Sequence, residues 1–196
     1  WTGEGLALWL RQTCVLFLQS GQQRYAVGSG TTAFCVKQES IYYGTLTVAV
    51  VTGGTTLTVA AWYDYQDKVV STSITTGYAA LRLDSGVMDF ETITASSATT
   101  ATCAAVDGAA AIGAKVYLFA TTNMITRPVR VLTAYRVDTS GNAAEVSLIG
   151  RADYELLSRK NASGNPTQLH FDPQLDAAQL LVWPVVNDSS CDQLVM

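Results

Sequence analysis

The stretch LTVAVVTGGTTLTVAAW, residues 46–62, decides the fold class. Two runs rich in β-branched residues stand either side of Thr52-Gly53-Gly54-Thr55, where glycine supplies the positive φ that tight hairpin turns demand. Neither run has the three-and-four apolar spacing of a helix, so both read as strands. Outward from it, residues from about 31 to 120 are dominated by Thr, Ser, Ala, Val and Gly. KVVSTSI (68–74), AALRLD (79–84), DFETITASS (89–97), TTATCAAV (99–106) and AKVYLFA (114–120) follow as short strands, punctuated by TTGY, SGVM and DGAAAIG. Regular short strands with turn punctuation predict a small barrel or sandwich. The Ala/Ser/Thr-rich tract 95–111 superficially matches a linker, but its β-branched residues have apolar partners on both sides, which favours order.

The flanks differ. In WTGEGLALWLRQTCVLFLQSGQQRYAVG (1–28), Gly3 and Gly5 stand where a preceding helix would stop, and VLFLQ and RYAV flank SGQQ as a hairpin or tight corner. After TTNMITRP (121–128), VRVLTAYRVD and AEVSLIG read as two strands joined by TSGN. RADYELLSRK (151–160) is the best helix in the chain, about three turns long. Tyr154, Leu156 and Leu157 give it an apolar side, and Asn161 to Gly164 stop it. QLHFD, a turn at PQLDA and QLLVWPVV complete the chain's second half. Pro173 and Pro184 lack backbone donors and belong at strand ends or on an edge, and Pro166 holds the way into the first of these strands. The start at Trp1 and the strand-like QLVM at the end predict an internal fragment of a longer polypeptide.

Composition narrows the function. Hydrophobic residues make up 48 % of the 196, but charged residues only 14 %, against about 25 % in an ordinary soluble domain. Either a membrane or protein neighbours could account for that deficit. No window approaches the roughly 18 to 20 apolar residues of a spanning helix, and no secretory segment opens the chain, so no membrane is expected. Twelve Lys and Arg against sixteen Asp and Glu give a net charge of −4, and the cations are scattered, which excludes gripping of DNA phosphates. Cys14, Cys35, Cys103 and Cys191 form no C-x-x-C pair and read as buried free thiols, which fits a reducing compartment.

Each chemical reading has a plainer competitor. His170 and Asp172 share one face of a strand about 7 Å apart, and Ser163 is not in a G-x-S-x-G elbow, so a satisfied or exposed histidine is expected. Asp84, Asp89, Glu91, Asp153 and Glu155 could supply an acid and a base for glycan cutting, but their spacing selects no pair. GSGTT (28–32) lacks the lysine and helix of a phosphate loop. Trp62, Tyr63 and Tyr65 would mark a glycan- or receptor-binding module if exposed in a row; core or subunit contact is the expected place. No catalysis, metal or cofactor is expected.

Read together, the two ends resemble the head-to-tail adaptor proteins of short-tailed bacteriophages, the packaged-DNA stabilisation or tail accessory factor family. The residues that carry the likeness are Trp1 and Gly5 to Trp9, FLQSGQQRYAVG (17–28), TRPVRVLTAYRVD (126–138) and IGRADYELLSRKNASGNPTQLHFDPQLDAAQLLVWPVVND (149–188). Within them lie the corner Gly21-Gln22-x-x-Tyr25, the strand Arg127-Pro128-x-Arg130 and the helix bearing Tyr154. Gly164-x-Pro166, Asp172-Pro173 and Trp183-Pro184 follow. The likeness covers roughly residues 1–30 and 121–196.

The resemblance implies an α+β, β-rich fold. Residues 1–33 and 121–196 would form the adaptor core, its helical part upstream, and 34–120 an inserted small all-β barrel or sandwich. It implies a virion structural protein and not an enzyme: one subunit of a homo-oligomeric ring of twelve at the head–tail junction, assembled in the host cytoplasm. The ring would dock under the portal protein, extend the DNA channel, help retain packaged DNA, and carry the tail nozzle or hub and tailspikes or fibres. Double-stranded DNA would pass without sequence-specific binding. Trp9, Gly21, Gln22, Tyr25, Arg127, Pro128, Arg130, Tyr154, Gly164, Pro166, Asp172, Pro173, Trp183 and Pro184 become the structural or interface candidates. Three departures stand out: no helices precede Trp1, the chain stops where more β structure or a tail would follow, and His170 replaces an expected aromatic. A peptidoglycan-degrading virion enzyme and a glycan- or receptor-binding β module are the alternatives.

Overall fold

The computed structural model describes residues 12–28, 34–125, 128–174, 177–187 and 193–196. Trp9 and Arg127 lie outside the described residues. The first elements are β1 (Cys14–Phe17), β2 (Arg24–Gly28), β3 (Cys35–Lys37), β4 (Tyr42–Thr45), β5 (Thr56–Thr58) and β6 (Trp62–Tyr63). β7 (Val69–Val70), β8 (Gly77–Arg82), β9 (Met88–Ser96), β10 (Thr100–Cys103) and β11 (Lys115–Ala120) follow. The chain ends with β12 (Tyr135–Val137), β13 (Ala143–Glu145), β14 (Ser147–Ile149), helix α1 (Arg151–Glu155), β15 (Gln168–Asp172), β16 (Ala177–Trp183) and β17 (Gln193–Val195). The fold is β-rich: α1 is the single α-helix among the described residues.

These strands build three sheets: β13-β12-β17-β1-β3, β5-β10-β9-β8-β11-β4-β6-β7 and β14-β15-β16-β2. All pairings are antiparallel except β14 with β15. Strand alternation stacks the sheets. Val15 and Phe17 of β1, Val36 of β3 and Val195 of β17 pack onto Ala80, Met88, Tyr117 and Phe119 of the eight-stranded sheet. Leu16, Cys35 and Leu194, one position along, pack with Tyr25, Val27, Leu169, Leu180 and Val182 of the four-stranded sheet. The five-stranded sheet is thus the middle layer. Phe17 stacks on Phe119 at 5.5 Å between ring centroids and meets Phe90 edge-on at 5.8 Å, while Phe34 stacks on Phe90 at 4.0 Å.

The eight-stranded sheet curls into a half-barrel around Leu46, Leu57, Trp62, Leu81, Val116 and Leu118. Its curl explains the opening stretch. The chain turns back at Gly53, where φ is +80°, and the Gly54 N–H bonds the Val51 carbonyl at 2.8 Å. The two arms meet only where Leu46 bridges Val59 and the Thr47 N–H reaches the Thr58 carbonyl at 2.9 Å. That contact brings the β5 edge against the chain leaving β4. LTVAVV is not itself a strand. Val50 bridges Ala110 instead, and Val48 and Val51 stay exposed. The chain passes into and out of this sheet at one place, because Val36 bridges Met124 and the Ile125 N–H bonds the Cys35 carbonyl at 2.8 Å.

Other expectations are corrected by the layers. Of the two readings of SGQQ the tight corner holds and the hairpin does not, since β1 and β2 belong to different sheets. AEVSLIG is divided at buried Val146 into β13 and β14, which also enter different sheets; VRVLTAYRVD is strand only over β12. The three-turn helix is five residues long. Only Tyr154 of α1 finds a buried place, while Leu156 is 82 % exposed; a helix without a buried stripe lacks the packing that sustains short helices in water.

Candidate functional site

His170 sits on β15 with 8 % of its surface exposed. Its Nδ1 lies 3.1 Å from the Ile149 carbonyl, and its ring stacks on Tyr154 of α1 at 5.6 Å and 23°. A carbonyl accepts only, so Nδ1 carries a hydrogen and donates. Asp172, two positions on, accepts from Gln174 Nε2 at 3.0 Å. The histidine is held by main chain and an aromatic ring, and among the described residues no nucleophile hydrogen-bonds to it.

Among the acidic candidates, the fold selects two and adds a third. Asp89 and Glu91 alternate with Phe90 on β9, opposite Leu81 and Ala79 of β8, on the face that carries Ile93 into the half-barrel. Asp107 joins them from the loop after β10: one carboxylate oxygen of each lies within 4.8 Å of the others. Asp89 is buried and accepts the Asp107 N–H at 3.0 Å. Burial first, then the charges of Asp89 and Asp107, push the Glu91 carboxyl above its ordinary range. Three such oxygens could hold a hard cation or share a proton. A glycan cutter instead needs its two carboxylates flanking the scissile bond, whereas Asp89 and Glu91 are neighbours on one strand. Asp84 is elsewhere, accepting the Ala111 N–H at 2.8 Å. Asp153 and Glu155 are on α1, where hydrogen bonding to Lys160 holds the Glu155 carboxyl below its usual range. Trp62 is fully buried, Tyr63 stacks on Tyr43 at 5.5 Å, and Tyr65 is exposed, so the three aromatics form no exposed row.

Part of the set that carries the family resemblance, Gly21 to Tyr25, Gly164, Pro166, Trp183 and Pro184, gathers at one end of the four-stranded sheet. Gly21, with φ +74°, donates its N–H to the Val186 carbonyl at 3.0 Å, and Gln22 Nε2 donates to the Arg24 carbonyl at 2.9 Å. The buried Tyr25 Oη accepts the Gln19 N–H at 3.0 Å and faces the Gln19 and Gln22 carbonyls at 3.2 and 3.1 Å. Gly164 donates to the Val185 carbonyl at 2.8 Å, Pro166 is buried, and Trp183 Nε1 donates to the Arg159 carbonyl at 2.8 Å. Gln23 Nε2 donates to the Lys160 carbonyl, which ties the corner to the segment after α1. Trp183 is half-buried, on the face of β16 opposite Ala178, Leu180 and Val182, so truncating it would cost less than emptying a fully buried site; the bond to Pro184 is cis. Pro173 is exposed beyond the end of β15. Pro128 is half-buried and Arg130 exposed, beside the chain leading to β12.

An open groove of about 480 Å³ runs between Leu132–Tyr135 and Ala143–Val146, with Leu148 on its wall. Leu132 and Leu148 are exposed there, and Val129 nearby in sequence is 71 % exposed. A second apolar group, Val48, Val51 and Ile112, is exposed on the half-barrel loops joined by the Val50–Ala110 bridge.

Comparison of the chain with protein-family models, curated proteins and solved structures finds no match. The strand parity of Asp89 and Glu91 was readable from sequence. Asp107 was not, because a loop returns it from a different part of the chain.

Proposed function

We propose that this chain is a structural subunit of a virion, a member of a head-to-tail adaptor ring, and that its work is done by protein–protein contacts without catalysis. The observation that carries the reading is its uncovered apolar surface in two separate places: the groove with Leu132 and Leu148, and the half-barrel loops with Val48, Val51 and Ile112. Head-to-tail ring contacts need two different, complementary patches on each subunit. The low charge content, 14 %, is the composition such flanks require. The clustering of Gly21, Tyr25, Gly164, Trp183 and Pro184, far apart in sequence, supports the resemblance from which the adaptor reading comes.

In this reading residues 1–33 and 121–196 are the adaptor core and 34–120 is the inserted unit. About twelve copies sit beneath the portal and carry tail components below, and DNA passes through unread. Native mass spectrometry of the full-length protein, alone and with the portal ring of the same phage, tests it. Saturable addition of one copy per portal subunit is expected. No portal-bound species at micromolar concentration overturns the reading.

A further inference from the structure

The middle sheet brings two thiols together that stand far apart in sequence. β1 and β3 run antiparallel with Cys14 opposite Lys37 and Leu16 opposite Cys35. Residues two apart on a strand share a face, so Cys14 and Cys35 are diagonal neighbours on the same side. Neither is in a disulfide; the Cys14 Sγ–H donates to the Gln12 carbonyl at 3.5 Å, and the two thiols are near enough to shift each other's pKa. Cys14 is partly exposed and packs against the core in which Cys35 is fully buried.

We propose that Cys14 and Cys35 are a thiol–disulfide exchange site, in which Cys14 reacts with a low-molecular-weight disulfide and Cys35 resolves the product to an internal bridge between β1 and β3. The Cys14 thiolate attacks one sulfur of the small disulfide, whose S–S bond breaks and releases one thiolate. The Cys35 thiol then attacks the Cys14 sulfur, and its proton passes to the second thiolate as that is expelled. Two protein thiols are oxidised by two electrons, and one small disulfide is reduced to two thiols. Roles follow from the surroundings. Interaction with the Cys35 side chain, with Lys37 adding its charge, lowers the pKa of Cys14 despite partial burial, while interaction with Cys14 and burial raise that of Cys35. Bridging needs the two sulfurs to close to about 2 Å, and β3, a three-residue strand bonded to β1 on one side and to Met124 and Ile125 on the other, is the short segment that must shift. Cys103 provides an internal control. It is buried, its pKa is pushed up to about 11, and its sulfur contacts the Thr55 carbonyl.

The 196-residue protein is incubated with glutathione disulfide, remaining thiols are alkylated, and intact mass and peptide mapping assign the bonds. A Cys14–Cys35 bridge is expected, with Cys103 still alkylated. Because the closed loop contains β2, the bridged form should melt roughly 5 to 10 °C higher. Cys35→Ala should instead accumulate a persistent mixed disulfide on Cys14. Full alkylation of both residues after prolonged exposure overturns the proposal. So does a bridge from Cys14 to Cys191 or to a second chain, since the partner would then not be the one set by the register.

Discussion

Tyr25 places one hydroxyl between three main-chain groups of the same corner. Its single proton can serve only one of the two carbonyls, while its lone pair takes the Gln19 N–H. Tyr25→Phe keeps the ring but leaves these partly buried groups short of a partner, and should cost about 1 to 3 kcal/mol in urea denaturation; an unchanged midpoint would show that water replaces the hydroxyl without loss. Glu91 makes a pH-dependent prediction. Its pKa in the fold is raised above the ordinary 4.5, so its stabilising contribution is complete below that pH and is lost as pH rises through the folded value. Glu91→Gln should therefore be more stable than the parent at neutral pH, and the advantage should vanish below about pH 4.5 in melting curves. A constant difference across that range would remove the carboxylate cluster as its cause. At this scale the sequence was legible where alternation alone decides. His170 and Asp172 were assigned to one face of a strand, but Tyr154 and the Ile149 carbonyl, which cover that face, come from elements whose positions sequence did not reveal.

Strands were read best where turn residues and alternation agree. QLHFD is β15 residue for residue, and the segment ending in Trp183 is the close of β16, paired from Gln168–Trp183 to Asp172–Gln179. RADYELLSRK failed as a long helix because helical propensity and an apolar side were legible, whereas the absence of anything to cover Leu156 was not. LTVAVV failed for a related reason: its β-branched residues promise a strand, but its backbone partners lie in the segment around Ala110. Pairing of β8 with β11 depends on Gly77, where an added Cβ would sit 2.2 Å from the Phe119 carbonyl oxygen. Backbone cannot yield as a side-chain tip can, so Gly77→Ala should cost roughly 1 to 3 kcal/mol, read as a lower melting midpoint. A variant that melts with the parent would mean that the two strands separate at that end.

The three layers are held through one strand that faces both ways. Val15 and Phe17 of β1 reach the half-barrel, and Leu16 reaches the four-stranded sheet. Phe17 is fully buried among Phe90, Tyr117 and Phe119, and Phe17→Ala should cost about 3 to 5 kcal/mol. The loss should appear in hydrogen exchange as equal loss of protection in β1 and β11. If β11 keeps its protection, the half-barrel holds itself together without the layer beneath. The continuous apolar run of β11 was legible as a strand. Its burial on both faces was not, since Val116 and Leu118 meet the half-barrel interior while Tyr117 and Phe119 meet a sheet built from both ends of the chain. The bridge between Val36 and Met124 carries a separate consequence. Everything between Lys37 and Met124 is a side branch on a neck two strands wide. Such a branch can be exchanged, lengthened or replaced by a short turn while the strand order of the sheet that bears it stays intact. The limit on exchange is a surface: any substitute must bring an oily underside to roof Phe17 and Val36, and a purely polar graft would leave that floor open to water.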